Sequence, residues 1–109
     1  MTAFEIKREI EHIHSYMETL RATYMSIKDP FVQIMYKTEI RACLANLKIL
    51  KEALCDSLLM EVKEAYPKAD AIYEDKIVSL IGEDGLRYLI GKQKIQLCGC
   101  INGRLLYAI

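Results

Sequence analysis

PFVQIMYKTEIRACLANLKILKEALCDSLLMEVKEAY, residues 30–66, is the stretch whose reading decides the fold. Tyr36, Ile40, Cys43, Leu47, Leu50 and Leu54 follow at steps of four, three, four, three and four. That spacing stacks their side chains on one stripe of an α-helix. Met35, Ala42, Ala45, Ile49, Ala53 and Met60 form a second apolar set. At 100° per residue it falls on roughly the opposite side. A helix apolar on two faces needs two neighbours, which the chain must supply or borrow from another copy. The alanines of the second stripe permit close approach, at about the 8 Å end of the usual interhelical range.

The limits of this helix are marked chemically. Asp29 is a good N-cap and Pro30 fits the first helical position, where its missing N–H costs nothing. Tyr66-Pro67 is the stop, because the residue before proline is pushed out of the α region. The expected helix is about 50 Å long at 1.5 Å per residue. A compact chain of this size has a radius of gyration of about 13 Å, too small to enclose such a helix, so an elongated molecule or an assembly is expected.

Working back towards the start, Thr2-Ala3-Phe4-Glu5 has the form of a capping box, with Met1 and Ile6 placed as a hydrophobic staple. Ile6, Ile10, Ile13, Met17, Leu20, Tyr24 and Ile27 then repeat in four-three steps, the two-in-seven pattern of a coiled-coil seam. The short connection Lys28-Asp29-Pro30 makes the two helices antiparallel neighbours. Basic rows flank the seams: Lys7, His14, Arg21 and Lys28 on the first helix, and Lys37, Arg41, Lys48 and Lys51 on the second. They read as flanking charges that pair with acids such as Glu9, Glu39 or Glu52. Alternatively, Arg21, Lys37 and Arg41 converge with Tyr24 or Tyr36 as an anion groove near the hairpin tip, since arginine beside aromatic rings suits phosphate or base recognition. His12 and His14, two apart, point to nearly opposite sides of a helix and cannot grip one metal together.

Working forward, Pro67 to Asp70 is a break, with Asp70 as an N-cap. Ile72, Tyr73, Ile77, Leu80 and Ile81 fit a short helix closed by Gly82. Glu83-Asp84-Gly85 reads as a turn, and residues 86–90 as a second short helix capped by Gly91. Strands at 76–81 or 86–90 fit the same residues. Residues 94–101 and 104–109 form a β-hairpin about Asn102-Gly103, the pair preferred in type I′ turns. Cys98 and Cys100 read as plain strand residues, with a metal site shared across a dimer or a redox pair as alternatives. A metal needs two further ligands, and the chain has no second such motif. Cys43 is expected in the core and Cys55 partly exposed.

Composition limits the function classes. Half the 109 residues are hydrophobic, which argues against disorder, and fifteen basic residues balance fifteen acidic ones. A wholly basic nucleic-acid binder is thereby disfavoured. No run of about 18 apolar residues exists to span a membrane. The opening MTAFEIKREIEHIH is charged throughout and does not read as a signal peptide, so the cytoplasm is the expected location. No phosphate-binding glycine loop, Gly-x-Ser-x-Gly or His-Glu-x-x-His is present. No enzyme, cofactor or metal is therefore expected.

The run LRYLIGKQKIQLCGCINGRLLYAI, residues 86–109, with the short helix before it, resembles the second half of a winged helix-turn-helix domain. The likeness covers about a quarter of the chain and implies nucleic-acid binding. It departs from the pattern where the recognition helix offers Leu86, Leu89 and Ile90 with Arg87 as its only definite cation; groove readers carry several polar side chains. A wing used for packing or dimerisation fits these residues better. The chain as a whole also resembles small proteins of phages and mobile elements.

The fold expected is mainly α with a small α+β tail. A long antiparallel helical hairpin (about 3–28 and 30–66) forms one region. Residues 67–109, one or two short helices and the β-hairpin, pack on it within a single domain. The expected function is a small oligomeric interaction protein of adaptor or inhibitor type. It meets another copy or a protein partner through Met35, Ala42, Ala45, Ile49, Ala53 and Met60. The alternatives are a nucleic-acid binder with a degenerate winged tail, and a sponge or sensor for a small anion such as a nucleotide, held between subunits at Arg21, Lys37, Arg41 or Arg104.

Overall fold

The computed structural model describes residues 1–109 and is mostly helical, ending in a three-stranded antiparallel sheet. Helix α1 runs Ala3–Tyr24 and α2 runs Pro30–Ala65; strand β1 (Ala71–Tyr73), helix α3 (Glu74–Gly91) and strands β2 (Gln96–Ile101) and β3 (Arg104–Ala108) follow. The helical hairpin and β tail expected from the sequence are present. The chain divides into two compact units, Met1–Leu54 and Cys55–Ile109. The division falls inside α2 and not at the Pro67 break, because Cys55, Leu58 and Val62 are buried side chains of the second unit.

In the first unit the caps behave as their chemistry requires. The Thr2 hydroxyl accepts from the Glu5 N–H at 3.2 Å. The Asp29 carboxylate accepts from the Phe31 N–H at 2.9 Å, an N–H two residues before the helical ladder begins with Gln33 N–H to the Asp29 carbonyl. Helix α1 stops at Tyr24, short of the expected residue 28. A tight turn replaces its last stretch, with Ser26 N–H donating to Thr23 and Ile27 N–H to Tyr24. The side-chain amide of Gln33 then donates to the Ile27 carbonyl at 2.8 Å, tying the turn to α2. Between the helices lies one core of Met17, Leu20, Cys43 and Leu47, with Ile10, Ile13, Tyr36 and Ile40 packed against it. Those are the two seams read from the sequence.

The second unit departs more from expectation. Residues Ala71–Tyr73, expected to begin a helix, form a strand instead, paired with β3 so that Ile72 faces Tyr107 and Tyr73 faces Leu106. Three residues cannot show a period of their own; the ladder supplied by β3 decides their conformation. Helix α3 bends at Gly82, whose φ of 76° and ψ of 168° is open only to glycine. The closure expected there is real, but Glu83-Asp84-Gly85 are helical and not a turn, since the one glycine absorbs the whole change of direction. The helix also runs through Gly91. Its left-handed cap is Gln93 (φ 59°), with Lys94 N–H donating to Leu89 and Gln93 N–H to Ile90.

The sheet order is β1-β3-β2, and the hairpin turns at Asn102 (φ 52°) and Gly103 (φ 77°), the positive pair a type I′ turn requires. A bulge between Leu97 and Gly99 leaves Cys98 as the extra residue. Ile109 N–H donates to the Asp70 carbonyl at 3.1 Å, so the strand end is held beyond its ladder. Ile72, Ile77, Leu86, Leu89, Ile95 and Tyr107 are buried in this unit. No helix is long and apolar enough to cross a membrane.

The hairpin core makes a direct demand on Leu47, which is buried in the seam. Leu47→Asp removes its packing and places an uncompensated charge there, and is expected to cost at least about 3 kcal/mol. Lys48→Ala, one residue on and exposed, is expected to stay within about 0.5 kcal/mol of wild type. Urea denaturation followed by circular dichroism checks both.

Candidate functional site

The outer face of α2 is an apolar row of the first unit that α1 does not cover. Once Tyr36, Ile40, Cys43 and Leu47 turn towards α1, residues about half a turn away must point outward. Met35, Ala42, Ala45 and Ile49 are exposed, and Ala53 is half-buried. The face is extended at its start by Phe31, on the same stripe, and bordered by Ile34, on the flank that Arg41 and Lys48 continue; neither was among the expected residues. Phe31 is 80% exposed, Met35 69% and Ile49 65%, values far from those of core side chains. Thr38 lies in the same row. Its hydroxyl donates to the Ile34 carbonyl at 2.9 Å, which satisfies the polar atom within the helix and lowers the cost of covering it. Met60, the last residue of the expected set, is exposed in the second unit.

Charges border this face unequally. Arg41 and Lys48 lie seven residues apart along one flank and are exposed, with Lys37 further round the same side. The opposite flank carries Glu39 and Asn46. Glu39 accepts a 3.3 Å hydrogen bond from the Tyr16 hydroxyl of α1. Lys37 reaches the other way, its Nζ 5.7 Å from the centre of the Tyr24 ring. The expected grouping of Lys37 with Tyr24 is therefore present. Arg21 stands exposed in the last turn of α1, and Arg41 exposed one turn beyond Lys37.

Arg104 is placed differently from the other three cations. On β3 it lies diagonally across from Tyr73, and its guanidinium stacks 3.9 Å from that ring. Its Nη2 donates to both carboxylate oxygens of Asp75 at 2.8 Å. The donated hydrogen bond, with the cation's charge behind it, holds the Asp75 carboxyl below the usual carboxylate range. Tyr73 and Asp75 flank the start of α3, so the side chain joins the hairpin to that helix end. A guanidinium committed in this way has its charge answered within its own chain.

The cysteines fall into two pairs. Cys43 and Cys55 are buried, Cys55 at 1% exposure, against the expectation that it would be partly open. Its place in the second unit's core explains the difference, and burial pushes its thiol pKa up, which disfavours the reactive thiolate. Cys98 and Cys100 are exposed on β2. The bulge between Leu97 and Gly99 removes the plain alternation that would have set them on one face. No group of three His, Cys, Asp or Glu side chains is placed to hold a metal ion.

The residues that carried the likeness to a winged helix-turn-helix fold as helix, bend, helix and hairpin, with β1 added as a third strand. In the would-be recognition segment Leu86 and Leu89 are buried, Ile90 is exposed, and Arg87 lies 3.8 Å from Glu83 one turn back. The molecule is thus a helical hairpin joined through one shared helix to a small α+β unit. Compared with family models, curated proteins and solved structures, the chain matches none.

The Arg104–Asp75 pair sets a pH dependence with a definite sign. A depressed carboxyl stabilises the fold above its unfolded value, near pH 4, and that contribution fades as pH falls through the folded value. Arg104→Ala is expected to return the Asp75 midpoint upward to the ordinary range and to flatten this part of the acid-stability curve. A carbon-detected NMR titration of the Asp75 carboxyl in both proteins reads the shift.

Proposed function

We propose that the chain is a non-enzymatic interaction protein, working in the cytoplasm, that self-associates through the outer face of α2 and presents its other helical surfaces to a protein partner. The single observation that carries this reading is the uncovered apolar row Phe31, Ile34, Met35, Ala42, Ala45 and Ile49. Scattered apolar side chains are normal on a surface, but a contiguous row flanked by charge marks an association site. The alanines at its middle let a second helix backbone come close, and the larger side chains at its ends supply most of the area to be buried.

A mass measurement by light scattering is expected to give a dimer or larger species. Ala45→Glu puts a charge in the middle of the row at an exposed position. It is expected to lower the mass to that of the monomer while leaving circular dichroism unchanged. A monomeric wild-type protein across the micromolar range removes the reading.

One observation favours a second reading. The helix–bend–helix–hairpin order with a three-stranded sheet in the order β1-β3-β2 is compatible with a winged nucleic-acid binder built from the second unit. Fold alone does not carry function, and Glu83 and Asp84 stand exposed at the start of the helix that would approach phosphates. Fluorescence anisotropy with duplex and single-stranded DNA at ~50 mM salt separates the two. Under the first reading no salt-sensitive binding is expected, and salt-sensitive binding turns the assignment to the second.

A further inference from the structure

The association face carries a charge pattern that distinguishes the ways two copies can meet. Written as a heptad, the row places Met35, Ala42 and Ile49 at a and Phe31, Thr38 and Ala45 at d. The flanking g positions are then Ile34, Arg41 and Lys48, and the flanking e positions Glu39, Asn46 and Ala53. Flanking charges set orientation in such pairs. In an antiparallel pair the same flank meets itself, g against g and e against e. In a parallel pair opposite flanks meet, g against the e of the following heptad.

We infer that α2 of a second copy of this chain docks on this face in parallel, in register, over Phe31–Ile49. This rests on the self-association proposed above and adds its geometry. Antiparallel docking sets Arg41 against Arg41 or Lys48 of the other copy, and Glu39 against Glu39 or Asn46. The one antiparallel offset that covers the whole row from Phe31 to Ile49 is the centred one, and it brings like charges together on both flanks, Arg41 on Arg41 and Glu39 on Glu39. Parallel docking sets Ile34 beside Glu39, Arg41 beside Asn46 and Lys48 beside Ala53, with no like pair on either flank. It also stacks each apolar residue on its own copy: Phe31, Met35, Ala42, Ala45 and Ile49 each meet themselves across the twofold axis. The contact is isologous and closes at two copies.

The same pattern ends the contact. The next d position is Glu52, exposed, and in a parallel pair it faces its own copy. The following a position, Asp56, repeats the conflict. Two copies are therefore held together for 19 residues, about 27 Å from Phe31 to Ile49 at 1.5 Å per residue, and no further. At the centre, Ala42 and Ala45 give the narrow spacing and Thr38 turns its satisfied hydroxyl inward to Ile34.

Disulfide trapping reads the orientation. In the full-length protein with Cys98→Ser and Cys100→Ser, the two remaining cysteines, Cys43 and Cys55, are buried. Phe31→Cys and Ile49→Cys are introduced separately and oxidised with copper phenanthroline, which takes two electrons from the thiol pair and releases two protons as the S–S bond forms. Parallel docking is expected to give covalent dimers in each variant alone, because each new thiol faces itself. Covalent dimers only when the two variants are mixed, or none despite a dimeric mass, overturn the parallel arrangement and leave self-association standing. A monomeric mass with no trapping overturns both. Circular dichroism confirms that each variant is folded, and Lys48→Cys, on the flank, serves as the control expected not to trap.

Discussion

The constraint on which the rest of this molecule depends is an imbalance on one helix. Helix α2 carries two apolar stripes about half a turn apart, and α1 brings a seam for only one of them. Burying Cys43 and Leu47 against Met17 and Leu20 fixes the rotation of α2, and rotation leaves no choice about where Met35, Ala42, Ala45 and Ile49 go. The same packing that stabilises the hairpin therefore creates the exposed row. Stability and association are two consequences of one rotational setting, which is why residues one or two positions apart, such as Leu47 and Ile49, stand in such different surroundings.

Helix α2 also joins two compact units that solve the packing problem differently. In the first, two long seams meet along their length. In the second, the last turns of α2 contribute Cys55, Leu58 and Val62 to a unit whose other buried side chains come from short elements in varied directions. Gly82 makes that variety possible by closing one helical segment of α3 and letting the next leave in a new direction. Arg104 then ties the hairpin to the start of the same helix through Tyr73 and Asp75, so the one expected anion-binding residue of this unit has a structural use.

The seams, both helix caps, the Asn102-Gly103 turn and the outer row were legible in the chain because each depends on spacing within a single element or on the chemistry of neighbouring residues. Phe31 was legible too, one four-residue step before Met35 on the same stripe; Ile34, adjacent to Met35 in sequence, lies off those steps. The burial of Cys55 was not legible: residues such as Tyr88, Lys92 and Lys94, far along the chain, lie around it. Nor was the pairing of Arg104 with Asp75, 29 residues apart and brought together only by the hairpin.

By itself the sequence determined the helical hairpin, the end of the chain as a β-hairpin, and the presence of two apolar faces on α2, since periodicity and turn chemistry are local properties. Tertiary structure decided that Ala71–Tyr73 is a strand, that Glu83-Asp84-Gly85 join the helical segment after Gly82, and that Gln93 and not Gly91 takes the left-handed cap. Those segments are too short to hold a conformation against alternatives of similar energy, so the neighbour that supplies a hydrogen bond or a buried surface settles each of them.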